Sequence, residues 1–300
     1  MADAIQTHGL TRRFGRHDAV DGLTLAVPEG SVFALIGPNG AGKTTTIKLL
    51  MNLIRPTAGV ARVLGTDATR LGPAELARIG YVSEGQELPE WLSPAEMLRY
   101  LRPFYPTWDD TLCRRLQVVL DLTARDPIRT LSRGTRMKAS LLASLAYCPE
   151  LVILDEPFSG LDSLVRDELI RALLELSGER PRTILVSSHD IAEVERLADW
   201  VGFIDRGRLI LAERVDSLLA RFRRVEVTTD VPSAMPITDR WLLEGAAGRM
   251  VRFIDLDHSS PDAAARIAAA FPGAAVHTSP LSLREIFVTL ARRAAGKAMV

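Results

Sequence analysis

The most constraining feature of this chain is the run Gly-Pro-Asn-Gly-Ala-Gly-Lys-Thr at residues 37–44. An apolar, strand-length run at 31–36 precedes it, and a helical pattern follows over about 43–53. The run fits G-x-x-x-x-G-K-[ST], in which glycines let the backbone wrap round a phosphate so that N–H groups and a helix N-terminus face the anion. The sequence therefore predicts a buried strand, a phosphate-binding loop and a helix.

Two side chains of this loop have chemical roles. Lys43 is expected to neutralise the β- and γ-phosphates of a nucleotide, and the Thr44 hydroxyl to coordinate Mg²⁺. The alternative is a glycine-rich turn that merely precedes a helix, and the strand before it makes that reading the weaker one. The predicted nucleotide contacts of the loop are Gly37, Pro38, Asn39, Gly40, Ala41, Gly42, Lys43, Thr44 and Thr45.

The rest of the first 222 residues indicates an α/β domain in three parts. Residues 4–27 alternate apolar and polar positions around a turn at 15–17, which predicts antiparallel strands. Ser93, Pro94 and Glu96 begin a helix, and helical patterns continue to about residue 147, so we predict a helical insert over about 85–150. Later apolar runs alternate with helical stretches, as in a mostly parallel sheet.

After residue 224 the composition shifts to Thr, Pro, Gly and Ala. Strand patterns at 224–229, 250–256 and 275–278 interleave with helical patterns at 263–271 and 282–293. We therefore predict two domains, residues 1–222 and a small α+β domain at 223–300.

Charge and cysteine content exclude several classes of protein. Lys+Arg and Asp+Glu both number 37, so no basic excess predicts binding to nucleic acid or anionic lipid. Cys113 and Cys148 are the only cysteines, too few for a disulfide framework, and two thiols in a reducing cytosol are expected. No apolar stretch approaches the roughly 18 residues of a membrane span, and no signal peptide is predicted.

A second motif supplies acidic groups. The apolar run at 151–154 ends in Asp155 and Glu156, which suits one acid holding Mg²⁺ and its neighbour polarising the attacking water as general base. Apolar strands that end in acidic loops are common, so this pair gains meaning only beside the phosphate loop. A Ras-like GTPase is not expected, because neither Asn39 nor Asn52 begins the Asn-Lys-x-Asp motif with which GTPases usually recognise guanine.

Three further motifs carry a family resemblance. Leu-Ser-Arg-Gly-Thr at 131–135 resembles the signature Leu-Ser-Gly-Gly-Gln, residues 155–162 contain an acidic strand end and a D-loop, and Ser-Ser-His at 187–189 resembles a switch histidine. In this order the motifs resemble those of the ATP-binding subunits of ABC transporters, over residues 4 to about 220. Residues 79–84 and 104–109, with the C-terminal extension, are similar to ABC-2-type exporter ATPases of the YtrB and bacitracin-exporter kind.

The resemblance implies a P-loop NTPase cassette, an α/β fold with an antiparallel β subdomain and a helical insert, and it implies site residues. Phe14 is expected to stack on adenine, the alternative being a core aromatic on an edge strand. His189 is expected to contact the γ-phosphate. Ser132 and Gly134 are expected to contact ATP held by a second cassette, and Asp162 lies in the D-loop.

Two departures from the family pattern affect these assignments. Arg133 and Thr135 stand in the signature where Gly and Gln are usual, although the retained serine and glycine are expected to preserve hydrolysis. The Q-loop glutamine position falls on Glu84, with Gln86 two residues on. A glutamate there is a candidate ligand for Mg²⁺ or water, but the sequence leaves both residues open for the role.

The family implies an ATPase that binds ATP and Mg²⁺ and powers transport by head-to-tail dimer closure, and export is the expected direction. Expected partners are a separate integral membrane permease, docking near residues 84–104, and a second cassette, identical or closely related, with no nucleic acid. The expected location is the cytoplasmic face of the membrane. The alternatives are a soluble ABC ATPase acting on ribosomes or DNA, which usually has two cassettes or long coiled coils, and a degenerate sensor, which would lack catalytic residues.

Overall fold

The computed structural model describes residues 2–123, 125–179, 182–229 and 238–294. The chain divides into two compact units, residues 1–212 and 213–300. This boundary precedes the one expected after residue 222, because the helix Val215–Arg221 is tied to the second unit. Its Arg221 guanidinium binds Glu213 at 2.7 Å, and the Arg221 carbonyl accepts a hydrogen bond from the main chain of His258.

The strands that begin in the first unit form two sheets. In chain order they are β1 (Asp3–Phe14), β2 (His17–Pro28), β3 (Val32–Ile36), β4 (Ala58–Val63), β5 (Thr66–Asp67), β6 (Ile79–Val82), β7 (Leu151–Asp155), β8 (Thr183–Ser188), β9 (Trp200–Asp205) and β10 (Arg208–Arg214). The first sheet has the order β2-β1-β4-β5 and is antiparallel. The second has the order β10-β9-β3-β8-β7-β6, in which β9, β3, β8, β7 and β6 pair in parallel.

The register of the parallel sheet sets the geometry of its carboxyl edge. Every residue of β3, β7 and β8 is buried, which explains their nearly continuous apolar sequences. Ile36 pairs with Ser188, and Asp155 pairs with Ser187, so the three strands end side by side. The loops that follow them therefore meet at one edge, where open α/β sheets bind their ligands.

The helices of the first unit are α1 (Lys43–Leu50), α2 (Pro73–Leu76), α3 (Pro94–Leu101), α4 (Asp110–Val119), α5 (Arg133–Leu145), α6 (Ser163–Glu179) and α7 (Ile191–Val194). Short 3-10 turns occur at Ala68–Arg70, Arg102–Phe104 and Ile128–Thr130. Helices α3, α4 and α5 form the predicted helical insert. The predicted start of α3 is confirmed, since Ser93 and Glu96 form a capping box with Pro94 as the first helical residue.

One apolar core joins both sheets of the first unit. Side chains of β1, β2 and β4 meet those of β3, β7 and β8, with Ile47, Leu49 and Leu50 of α1 between them. Because α1 begins at the phosphate loop, packing of its apolar face fixes the helix N-terminus against the sheet edge.

The second unit is built on an antiparallel sheet. It contains α8 (Val215–Arg221), β11 (Arg223–Thr228), β12 (Trp241–Ala247), β13 (Met250–Asp255), α9 (Ala263–Ala270), β14 (Ala275–Pro280) and α10 (Leu283–Ala294), with strand order β12-β13-β11-β14. Trp241, Phe253 and Phe271 stack in its core. Among the described residues of both units, no helix combines the length and the apolar character needed to span a bilayer.

Candidate active site

The phosphate loop connects β3 to α1, and two of its glycines are sterically required. A Cβ on Gly37 would lie 2.2 Å from the carbonyl oxygen of Ile204, and a Cβ on Gly42 would lie 2.3 Å from that of Ala19. Gly42 also has a φ of 107° and caps α1. The loop is thus held against backbone on both sides, which places the N-terminus of α1 at the sheet edge.

A pocket of about 400 Å³ opens over this loop. It brings together most of the predicted nucleotide contacts with residues from the antiparallel sheet and from the loops after β6 and β7. The lining residues are Phe14, His17, Ala19, Asn39, Gly40, Ala41, Gly42, Lys43, Thr44, Thr45, Glu84 and Glu156. Gly37 and Pro38 contribute from behind the loop, where their carbonyls accept hydrogen bonds of 2.7 and 3.2 Å from the Lys43 ammonium.

Lys43, Glu156 and His189 form a continuous polar chain. The Lys43 ammonium lies 3.0 Å from Oε1 of Glu156, and both side chains are less than a tenth exposed. His189 Nδ1 lies 2.7 Å from the other carboxylate oxygen, and the imidazole is nearly half exposed. Glu156 is therefore fixed at both oxygens between the phosphate loop and the loop after β8.

Asp155 and Glu156 have different environments although they are neighbours. Asp155 Oδ1 accepts hydrogen bonds from Ser187 at 2.7 Å and from Thr44 at 3.1 Å. Burial raises the pKa of Asp155, and these two hydrogen bonds oppose the rise. The Glu156 N–H donates to the same Ser187 hydroxyl at 2.9 Å, and Glu156 has a φ of 49°. Ser187 thus links the side chain of Asp155 to the main chain of Glu156, a contact that the sequence motif did not predict.

The structure distinguishes the two Q-loop candidates. Glu84 lines the pocket beside Thr44 and Glu156. The Gln86 side chain accepts a hydrogen bond from the Ser83 N–H and does not line that pocket. Glu84 thus shares the pocket with Thr44, a predicted Mg²⁺ ligand, and its role at the metal stays a prediction.

Phe14 ends β1 at the rim of the pocket and is 47 % exposed, so it is not a core aromatic. The Arg12 guanidinium lies 4.5 Å from the centre of its ring. His17 and Ala19 of β2 complete this wall, and sequence reasoning missed both. The β1–β2 hairpin register brings them there, and no local pattern marked them.

The signature residues lie outside the pocket. Ser132 is exposed and caps α5, where its hydroxyl accepts a hydrogen bond from Thr135 N. Gly134 packs on Val165 of α6, and the Arg133 guanidinium lies against Gly160 of the D-loop. Asp162 is also exposed and caps the first turn of α6 through Val165 N. None of these signature and D-loop residues lines the pocket over the phosphate loop of their own chain.

The donor set fits a nucleoside triphosphate with Mg²⁺. Lys43, the backbone of the glycine loop and the α1 N-terminus provide for the phosphates, and Phe14 provides a flat apolar face. No cluster of three or more His, Cys, Asp or Glu side chains suited to a metal occurs among the described residues. One or two carboxylates and a hydroxyl agree with Mg²⁺, which keeps several waters and takes other ligands from phosphate.

Comparisons with known proteins identify the family of this chain. The family model described as ABC transporter matches residues 20–159. The lantibiotic transport ATP-binding protein SrtF of Streptococcus pyogenes is 33 % identical over 213 residues, covering 71 % of this chain and 91 % of SrtF. The bacitracin transport ATP-binding protein BcrA of Bacillus licheniformis is 34 % identical over 226 residues, covering 75 % and 74 %.

A solved structure shares the fold. The dimeric post-hydrolysis state of the ATP-binding cassette MJ0796, bound to ADP and Pi, has a TM-score of 0.62 and 22 % identity, and the match covers 70 % of this chain and 98 % of that one.

The fold and site therefore define a P-loop ATPase, and the chain belongs to the ABC transporter ATP-binding family. It is an ATP-binding cassette ATPase, as the ordered motifs predict.

Proposed function

We propose that this chain hydrolyses Mg·ATP at sites shared by two cassettes that close head to tail, and that this cycle drives export through a separate membrane permease. The observation that supports this proposal is that the predicted catalytic residues and the signature residues lie at different places on the unit. Lys43 and Glu156 line the pocket and His189 contacts Glu156, whereas the signature serine is exposed and does not line the pocket. A second cassette would supply the missing half, and the cassette MJ0796, whose fold this chain shares, is dimeric in its solved structure.

Each pocket residue then has a role. Phe14 stacks on adenine, and Lys43 with the loop amides binds the phosphates. Thr44, Asp155 and Glu84 would hold Mg²⁺, directly or through water, and the ion supplies charge neutralisation on the phosphate oxygens when bound.

Glu156 acts as general base, since its carboxylate can take a proton from water aimed at the γ-phosphorus. Lys43 and His189 each contact one oxygen of the Glu156 carboxylate, so the carboxylate is held in one orientation. His189 is exposed enough to contact the γ-phosphate while it holds Glu156.

The permease is expected to dock on the helical insert at the cytoplasmic face of the membrane. A groove of about 1030 Å³ lies between residues 83–91 and α5. Trp91, at its edge, is 75 % exposed, and the exposed rings of Tyr100 and Phe104 contact each other nearby in sequence. Replacing Trp91 by Glu should reduce retention of the protein by native membranes. The control Val118→Glu, at an apolar residue of α4 with similar exposure, should not reduce that retention.

Mixed dimers test the head-to-tail arrangement. Lys43→Ala and Ser132→Arg should each inactivate both sites of a homodimer. A dimer of one Lys43→Ala subunit and one Ser132→Arg subunit keeps an intact lysine facing an intact serine, so one site is rebuilt. A dimer of wild type with the double mutant spoils both sites. Thr111→Arg, which adds the same charge at an exposed position of α4, is the control.

The measurement is ATP hydrolysis by differently tagged, purified pairs. The proposal expects activity in the first mixed dimer and little in the second. A more active second pair would show that Ser132 works on its own subunit's ATP, and equal activities would contradict the head-to-tail site. Wild-type protein without Mg²⁺-dependent hydrolysis, with or without its permease, would contradict the role of Glu156.

A further inference from the structure

The guanidinium of Arg166, in α6, joins the D-loop to the segment that follows His189. Its Nε donates a hydrogen bond of 2.9 Å to the carbonyl of Leu161, the residue before Asp162. Its Nη1 lies 3.1 Å from Oε1 of Glu193 and 3.8 Å from Asp190. One planar group thus contacts the D-loop main chain and the helix that follows the switch histidine.

Glu193 passes this contact on to the main chain beside His189. The Glu193 residue is 8 % exposed, and its second oxygen accepts a hydrogen bond of 2.9 Å from the Ser188 hydroxyl. The same hydroxyl accepts from Asp190 N at 2.9 Å, so it clamps the turn on both sides of His189. Burial raises the pKa of Glu193, and the cation of Arg166 opposes that rise.

We propose that Arg166 is a positioning residue of the ATPase site, whose guanidinium fixes the main chain beside Asp162 and, through Glu193 and Ser188, the main chain that carries His189. The proposal rests on the proposed function, in which His189 and Asp162 take part in hydrolysis. Bidentate reach is the reason for arginine, because its planar fork offers separate N–H groups to a carbonyl and a carboxylate at once. A lysine ammonium keeps the charge but not both directed contacts.

A neighbouring ion pair provides a matched control. Asp167 follows Arg166 on α6 and binds Arg196, just after α7, so this pair links the same two parts of the chain. Both side chains are exposed, and neither contacts the D-loop carbonyl or Glu193 among the described contacts. Arg196→Met should therefore show what loss of a simple link between these elements does.

The experiment uses the full chain as wild type, Arg166→Met, Arg166→Lys and Arg196→Met. Amide hydrogen exchange of residues 187–192, measured without nucleotide, reports the main chain around His189. Steady-state kcat and the Kd of a fluorescent ATP analogue separate the chemical step from binding. Thermal unfolding of each variant monitors general loss of stability.

Arg166→Met should raise exchange around His189 by about tenfold and lower kcat by about tenfold or more, with nucleotide Kd changed by about twofold at most. Arg166→Lys should fall between Arg166→Met and wild type. Arg196→Met should stay within about twofold of wild type in each quantity, since exposed ion pairs contribute little.

Unchanged exchange in Arg166→Met, or equal changes in Arg196→Met, would overturn the positioning role. So would a loss of kcat matched by an equal loss of nucleotide affinity. The exchange measurement needs no hydrolysis, so it decides the role of Arg166 even if the wild type proves inactive, an outcome that would contradict only the proposed function.

Discussion

Replacing Ser187 by Ala should damage both stability and catalysis, because one buried hydroxyl serves two neighbouring residues. It donates to Asp155 and accepts from the Glu156 N–H, and the serine is fully buried. A hydrogen bond to a charged group contributes about 1.5–3 kcal/mol, and a buried N–H left without a partner costs about 1–3 kcal/mol. Since these effects are coupled, we expect a loss of roughly 3 kcal/mol in the free energy of unfolding.

The loss should be visible in heat and in rate. For a unit of this size, about 1 kcal/mol lowers Tm by roughly 2–4 °C, so the first unit should melt about 6–12 °C lower. Glu156 has a left-handed backbone conformation, which costs a non-glycine residue about 1–2 kcal/mol. The hydrogen bond from its N–H to Ser187 helps to hold that conformation. A shift of the carboxylate by about 1 Å can lower the rate about a hundredfold, so kcat should fall on that scale.

Ser144→Ala is the matched control. Ser144 is also buried in the first unit, but its hydroxyl makes one neutral hydrogen bond, to the Tyr81 carbonyl at 3.0 Å. This change should cost about 1 kcal/mol and leave kcat near wild type. Calorimetry and steady-state ATPase assays compare the two variants. If Ser187→Ala loses no more stability than Ser144→Ala, or retains wild-type kcat, the joint role of the hydroxyl is refuted.

Three further substitutions probe steric, electrostatic and stacking terms. Gly37→Ala should lower the free energy of unfolding by about 2 kcal/mol and abolish nucleotide binding, because the added Cβ meets the Ile204 carbonyl. In the control Gly72→Ala, the added Cβ meets only the end of a flexible side chain. Equal Tm and Kd values for the two variants would refute the clash. Glu193→Gln should change how stability depends on pH. The pKa of Glu193 is raised in the folded protein, so the wild type gains stability as pH falls through that pKa, and the variant does not. Urea titrations from neutral to acid pH will test this difference. Phe14→Ala should weaken ATP binding by about 1–3 kcal/mol and leave the binding of inorganic triphosphate unchanged, since only ATP has a base to stack. Calorimetric titration measures both affinities. Equal losses for the two ligands would place Phe14 outside the adenine site.

Local patterns predicted the parts of this protein in which a short segment carries its own structure. The phosphate loop needs a strand before it, glycines within it and a helix after it, and all three lie within 31–53. The cap of α3 at Ser93 likewise depends on residues within one turn. The strand that ends at Asp155 and the strand that stops just before His189 were recognisable because their apolar runs stop abruptly at polar residues.

Partners from distant segments were decided only by the tertiary structure. The strand order β3-β8-β7-β6 brings these partners together. It places Lys43 against Glu156 and lets Ser187 contact both acidic residues. It also brings Glu84, but not Gln86, to the pocket. Strand order and register come from burial of many apolar side chains at once, and no short pattern encodes them.

The boundary of the second unit shows the same division. Sequence composition changes after residue 224, but Val215–Arg221 joins the second unit through Arg221, whose partners are Glu213 and the main chain of His258. The motifs thus determined the chemistry of the chain, since chemistry needs particular side chains in a fixed local order. The contacts that orient those side chains were decided by long-range packing, because the residues that make them are brought together only when the sheets and helices close on a common core.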